Sequence, residues 1–292
     1  MPLWRAVILA IVQGLTELLP VSSSAHVIVT AKLLHENMST PANALLLVLL
    51  HTGTMFAVIV YFWSRWVNEF LSSWANFIQF AKRAITATIL SGLVGLPAIV
   101  VTERILGHDG HKAEIEVLFD KLNWIAAALA LAGLLIICAG LREARRPEKG
   151  SQPGARVVRW TEAIVMGVLQ GFAIPFRGFS RSGSTISGGL LAGGHRAEIE
   201  SFSFAMAVII TPPAIAREAW RVVRAAHHSG AGMPLSATLT PGLLGMICSF
   251  IAGLLALRWL SRWLESGRWH WFGIYCLIAA AAVLFWASRL AG

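Results

Sequence analysis

Six apolar runs, each close to the length of a membrane crossing, leave this chain little freedom of fold. They are Pro41–Trp63, Ala84–Val101, Leu122–Leu141, Phe202–Ile215 extended toward Trp220, Leu239–Trp259 and Trp269–Ser288. Roughly 20 apolar residues in a helix match the hydrocarbon thickness of a bilayer, and a helix satisfies its own backbone groups there. Composition agrees. The chain is 56% hydrophobic and 13% charged, whereas soluble domains carry about 25% charged residues. The expected fold class is therefore an all-α polytopic membrane protein.

The net charge of +9 does not point to nucleic acid. The basic residues gather in short loops between apolar runs, at 64–83, 142–159 and 258–268, which is the pattern of cytoplasmic loops. Trp63, Trp66, Trp124, Trp160, Trp269 and Trp271 fall near run ends, as in interfacial belts. Cys138, Cys248 and Cys276 each stand alone within an apolar run, a spacing that predicts buried structural thiols rather than a metal site or disulfide. Gln13, Thr16 and Glu17 interrupt the first apolar stretch and no small-residue cleavage site follows, so no cleaved signal peptide is expected.

Two further apolar stretches are too short to span. Leu3–Leu19 runs into Pro20-Val21-Ser22-Ser23-Ser24-Ala25-His26, and Val27–Leu34 follows. Trp160–Ile174 runs into Gly178-Phe179-Ser180-Arg181-Ser182-Gly183-Ser184-Thr185, with a short apolar run to Leu191 after it. Each pair predicts a re-entrant helical hairpin, the second with a helix beginning near Ser182. Trp66–Phe80 is apolar enough to form an interfacial helix. The loop 105–120 is acidic, and the basic loop 142–159, with Pro147, Gly150 and Pro153, falls near the midpoint.

The chain is thus expected to form one membrane domain, 1–292, with repeat one at 1–145, a linker at 146–157 and repeat two at 158–292. Each repeat holds one interrupted pair and three spans. Placing the three basic loops in the cytoplasm gives the repeats opposite orientation, so the two hairpins oppose each other. Inverted repeats of this kind set binding sites near the midplane, where broken helices meet. Arg217, Arg221 and Arg224 land outside in this scheme, against the positive-inside trend.

The two polar interruptions carry the chemistry. Arg181 is a planar fork of donors suited to phosphate oxygens. Ser180, Ser182, Ser184 and Thr185 add hydroxyls, glycines allow close approach, and a helix N-terminus favours an anion. The first interruption holds Glu17 and His26, ionisable groups that are costly at membrane depth and so mark function. Gln13 and Glu17, four residues apart, share one helix face. Arg181 and the hydroxyls suit a diphosphate. A serine hydroxyl or the His26 imidazole could attack phosphorus or position water, and Glu17 could act as base or hold a hard divalent cation. His51 with Thr52 and Thr54 reads as polar lining, Gly188, Gly189, Gly193 and Gly194 as helix-contact glycines, and His227-His228 as a solvated pair.

At these residues the chain resembles the bacterial undecaprenyl-diphosphate phosphatase family, membrane enzymes linked to bacitracin resistance. One family signature, Glu/Gln-Gly-Leu-Thr-Glu followed by Pro-x-Ser-Ser-x-x-His, is matched by Gln13 to His26. A second, Pro-Gly-x-Ser-Arg-Ser-Gly-x-Thr, is matched at Gly178 to Thr185. His51-Thr52-Gly53-Thr54 and Glu200-Ser201-Phe202-Ser203-Phe204 extend the similarity over essentially the whole chain.

The resemblance implies release of the terminal phosphate of undecaprenyl diphosphate at a site open to the periplasmic side of the inner membrane, recycling the carrier for peptidoglycan. It implies Glu17, Ser23, His26 and Arg181 as essential residues, with Ser22, Ser24, Ser180, Ser182 and Thr185 in support. It also implies a divalent cation, Mg²⁺ or Ca²⁺, on Glu17 with a share for Gln13. Ser23 is the favoured nucleophile and His26 the general acid or base, with His26, Ser22 and water as alternatives. The partners expected are the polyprenyl diphosphate and the bilayer, not nucleic acid; a homodimer is compatible with the pattern, which leaves the assembly state open.

Two departures bear on the site: the family often has glutamate at Gln13, and Pro175-Phe176-Arg177-Gly178 carries one extra residue after Gln170. The rival from another class is a transporter or flippase of a phosphorylated polyprenyl lipid, since inverted repeats and broken helices also build transporters.

Overall fold

A computed structural model describes residues 1–38, 40–106, 122–145, 158–176, 178–228 and 235–291. Among these residues ten α-helices occur in chain order: α1 (Leu3–Leu18), α2 (Ser23–Leu33), α3 (Pro41–Glu69), α4 (Trp74–Leu106), α5 (Leu122–Ala144), α6 (Trp160–Ala173), α7 (Arg181–Leu191), α8 (Arg196–His228), α9 (Leu235–Glu265) and α10 (His270–Ala291). No strand occurs among the described residues. Six helices there, α3, α4, α5, α8, α9 and α10, are long and apolar enough to cross a membrane. The multi-pass, all-helical expectation holds.

The other four helices are short. α1 has 16 residues, α2 and α7 have 11 each and α6 has 14. At 1.5 Å per residue they reach about 16–24 Å, short of the roughly 30 Å apolar core.

Three expectations are corrected. α2 begins at Ser23 rather than Val27, because Ser22 takes the turn in the left-handed region, φ 67°, and releases the chain into helix one residue later. α3 runs on to Glu69 and α4 opens at Trp74, so Trp66–Phe80 is split between two long helices and forms no separate interfacial one. Cys276 is buried and Cys248 half-buried, but Cys138 is exposed on α5. A spanning helix is apolar on its lipid side too, so an apolar run does not by itself bury a thiol. The linker 146–157, most of the acidic loop 105–120 and Arg177 lie outside the described residues, as do the side chains of His227 and His228.

The chain packs as two compact units. The first comprises Met1–Leu19, His26–Trp63 and Ala207–Leu260. In it Ala6, Leu9 and Ala10 of α1 bury themselves with Val27 and Ala31 of α2 and Leu46 and Leu50 of α3. Arg5 closes one end by pairing with Glu36 at 2.8 Å. The Ser249 hydroxyl of α9 donates to the Leu50 carbonyl of α3 at 3.0 Å.

The second unit comprises Pro20–Ala25, Ser64–Met206 and Ser261–Gly292. Here α4 packs on α6, α6 on α7, and α5 on both α7 and α10. Trp269 is fully buried and its indole N–H donates to Ser187 of α7 at 3.0 Å. Phe80 stacks on Phe70 and meets Phe202 edge-on. α7 is buried from Ser182 to Leu190, so the helix that opens on Arg181 is an interior element of its unit.

Candidate active site

In the first unit, Gln13 and Glu17 stand one turn apart on α1. Gln13 is 1% exposed, and its amide nitrogen lies 3.1 Å from Glu17 Oε2 and 2.8 Å from Nδ1 of His51 on α3. His51 Nδ1 is itself 3.7 Å from Glu17 Oε2. An ionised carboxylate only accepts, so with Glu17 ionised the amide turns its N–H₂ toward it. The neighbouring Thr52 and Thr54 hydroxyls bond carbonyls of their own helix, at 2.8 and 2.9 Å. His51 therefore parts company with its neighbours and joins Gln13 and Glu17. The sequence shows it only as polar lining; the packing of α3 against α1 reveals the contact.

The serine run sits at the opening of α2. Ser22, in its left-handed conformation, lies 3.3 Å from Ser24, hydroxyl to hydroxyl. Non-glycine residues in that region cost of order 1 kcal/mol and cluster at functional sites. Ser23 and His26 lie three apart in the first turns of the helix, a spacing that puts both on one face. In the second unit the Cys276 thiol donates to the carbonyl of Pro20, just before the serines, at 3.4 Å.

The Arg181 turn has its own scaffold. Ser180 is the N-cap of α7, its hydroxyl accepting from the Gly183 amide at 3.2 Å. That bond is worth about 1 kcal/mol to the helix and starts it one residue earlier than expected, so Arg181 is its first residue. Ser182 lies 3.5 Å from Ser180, hydroxyl to hydroxyl. Gly178, at φ 108°, leaves no room for a Cβ, which would meet the Ile125 carbonyl of α5.

Further along α7, the Ser184 and Thr185 hydroxyls donate to the Arg181 carbonyl at 3.0 and 2.8 Å. The Thr185 hydroxyl also lies 2.6 Å from that of Ser203 of α8. At the C-terminal end, Arg142 donates to the Leu191 carbonyl at 3.0 Å and Arg159 to the Ala192 carbonyl at 3.1 Å. Opposing charge at the negative helix end is favourable. Trp269, expected in an interfacial belt, is instead fully buried against α7, and the contacts of Ser203, Arg142 and Arg159 with α7 are not legible in the sequence. Ser203 had a signal in the Glu200–Phe204 stretch, whereas the two arginines read only as loop charge.

The donor set can be tested against a divalent cation. Among the described residues no three of His, Cys, Asp or Glu converge as a metal cage. Glu17 alone fits a cation of the kind bound through one carboxylate and the oxygens of a phosphate substrate. Gln13 presents its amide nitrogen to Glu17 in this arrangement.

Comparison with known proteins bears on the whole chain. Residues 6–282 match the family model described as bacitracin resistance protein BacA. The chain belongs to the BacA family. Its relatives in that family include undecaprenyl-diphosphatase 2 of Acinetobacter baylyi, 46% identical over 286 residues, covering 97% of this chain and 98% of the relative. The undecaprenyl-diphosphatase of Rhodopirellula baltica is 32% identical over 280 residues, covering 96% of each chain. For a BacA-family member, both polar clusters therefore fall inside the matched region.

Proposed function

We propose that this protein hydrolyses undecaprenyl diphosphate to undecaprenyl phosphate and inorganic phosphate, recycling the carrier for peptidoglycan synthesis and conferring bacitracin resistance. The observation that carries the reading is near-full-length identity of 46% to an undecaprenyl-diphosphatase. It acts in the inner membrane, with the site open to the periplasmic side.

The residues suit the reaction. Arg181, at the N-terminus of the buried helix α7, holds the diphosphate oxygens with Ser180, Ser182, Ser22 and Ser24, while Thr185 braces that turn through its own bonds. Ser23 attacks the terminal phosphorus as the bond to the bridging oxygen breaks, and that oxygen leaves on undecaprenyl phosphate. His26, on the same face of α2, takes the serine proton and passes it to the departing phosphate or to solvent. Water then attacks the phosphoserine, losing a proton to His26, which returns it to Ser23 as inorganic phosphate leaves. Glu17 would hold a divalent cation, and that cation would supply neutralising charge at the phosphate. Most of the rate comes from donors placed where charge develops.

The re-entrant hairpins and inverted repeat belong to the same proposal, supported by a reciprocal exchange of partners. α1, the first helix of repeat one, packs on α9, the fourth of repeat two, where Gly14 meets Ser249 and Ala252. α6, the first of repeat two, packs on α4, the fourth of repeat one, where Gly171 meets Ser91 and Val94. Such an exchange is what a two-fold relation between repeats produces.

The test is phosphate release from undecaprenyl diphosphate by the purified protein, with and without chelator, beside Arg181→Ala and Glu17→Gln. Cation-dependent release that falls by about 10²-fold or more in each variant is expected, the scale of losing a stabilising donor. A folded wild type that binds the lipid without releasing phosphate overturns the reading in favour of lipid transport.

A further inference from the structure

Gln13 has one amide nitrogen and two hydrogens, and both are committed. One goes to Glu17 Oε2 at 3.1 Å and the other to His51 Nδ1 at 2.8 Å. Three consequences follow from the chemistry of those groups. An amide nitrogen has no lone pair for a cation, so the atom Gln13 turns toward Glu17 in this orientation is not a ligand. His51 Nδ1 spends its lone pair on Gln13. The neutral ring then carries its hydrogen on Nε2, so neither ring nitrogen offers a lone pair. With Glu17 ionised and no cation beside it, turning the amide over would set two oxygens against each other, which favours the orientation seen. Gln13 is 1% exposed, without room to leave.

We infer that Gln13 and His51 form a strut that fixes Glu17 and are not cation ligands, so that the protein alone offers a cation one carboxylate. A hard divalent cation then binds together with the diphosphate, whose oxygens complete its shell, rather than being loaded beforehand. Gln13 and His51 are positioning residues in this scheme. The inference rests on the proposed diphosphate chemistry and adds an order of binding to it.

Equilibrium dialysis of the purified protein against Mn²⁺ tests this without any turnover. Wild type is expected to retain little Mn²⁺ alone and about one equivalent with methylenediphosphonate, whose complex with free Mn²⁺ passes the membrane. Gln13→Glu sets a second carboxylate beside Glu17 and is expected to raise retention of Mn²⁺ alone by about tenfold or more, as ligand charge tunes such sites. His51→Gln, which keeps an acceptor for Gln13, is expected to match wild type. One equivalent of Mn²⁺ on wild type without diphosphate, lost in His51→Gln, overturns the strut and leaves the phosphatase reading standing. No retention under either condition, with chelator-insensitive phosphate release, removes the cation from the reading and the inference with it.

Discussion

Gly14 sits between the two polar residues of α1 that matter most, and a single methyl there should disturb both. A Cβ at this position would lie 2.6 Å from the Ser249 carbonyl oxygen and 2.6 Å from the Ala252 Cβ of α9. Ordinary contact begins near 3.4 Å, so α1 must retreat from α9 by about 0.8 Å or the backbone of α9 must yield. Overpacking of this kind costs typically 1–3 kcal/mol.

The functional cost follows from the neighbours. The Gln13–His51 bond is 2.8 Å long, and a displacement of about 0.8 Å along it stretches it past hydrogen-bonding range. Loss of one such bond is worth about 0.5–1.5 kcal/mol, and a misplaced catalytic group can cost about 10²-fold. Gly14→Ala is therefore expected to lower kcat/KM for phosphate release by about ten- to a hundredfold, with a lowered melting temperature in detergent. Ala252→Gly in the same chain removes one of the two close contacts and should recover part of the melting temperature. A Gly14→Ala protein with wild-type melting and wild-type kcat/KM would refute the claim that α1 is pinned on α9 and that the pinning sets Glu17.

Two further outcomes probe α7. Gly178→Ala combines a positive φ with a collision against the Ile125 carbonyl, so it should destabilise by about 2–4 kcal/mol, measured as a fall in the melting midpoint. Arg142→Ala with Arg159→Ala removes both side-chain donors at the C-terminal end of α7. Arg142 is exposed, so its share of the stability cost should stay near 1 kcal/mol, whereas Arg159 also pairs with the buried Glu162 at 2.7 Å, so its loss should cost more, toward about 3 kcal/mol. The loss should appear as weaker substrate saturation, a raised KM, recovered in part by lysine at both positions.

How much was legible depended on how local the cause is. The six spans were readable because each is a continuous apolar run whose length answers to the bilayer alone. The capping of α7 was nearly readable too, since Ser180 and Gly183 are three residues apart and the bond between them is local. Three serines in a row look like loop, which hides the start of α2. The decisive event was the left-handed turn at Ser22, which leaves Ser23 and His26 on a helix. The role of His51 is hidden for a different reason: its partner is 38 residues away, and no periodicity encodes that meeting. Ser203 and Arg142 are likewise defined by what α7 packs against.

The carbonyl of Leu50 accepts from Ser249, 199 residues further along the chain. At ribosomal speeds of about 5–20 residues per second, roughly 10–40 s separate the synthesis of the two ends of that bond. Throughout this interval the nascent α1 and α3 have been made, with Gln13, Glu17 and His51 on them, while the helix they lean on has not. Polar side chains at membrane depth without their packing partner must be sheltered by the insertion machinery, by water at the translocon or by each other. The late arrival of α9 thus makes biogenesis, as much as catalysis, a source of selection on the first fifty residues.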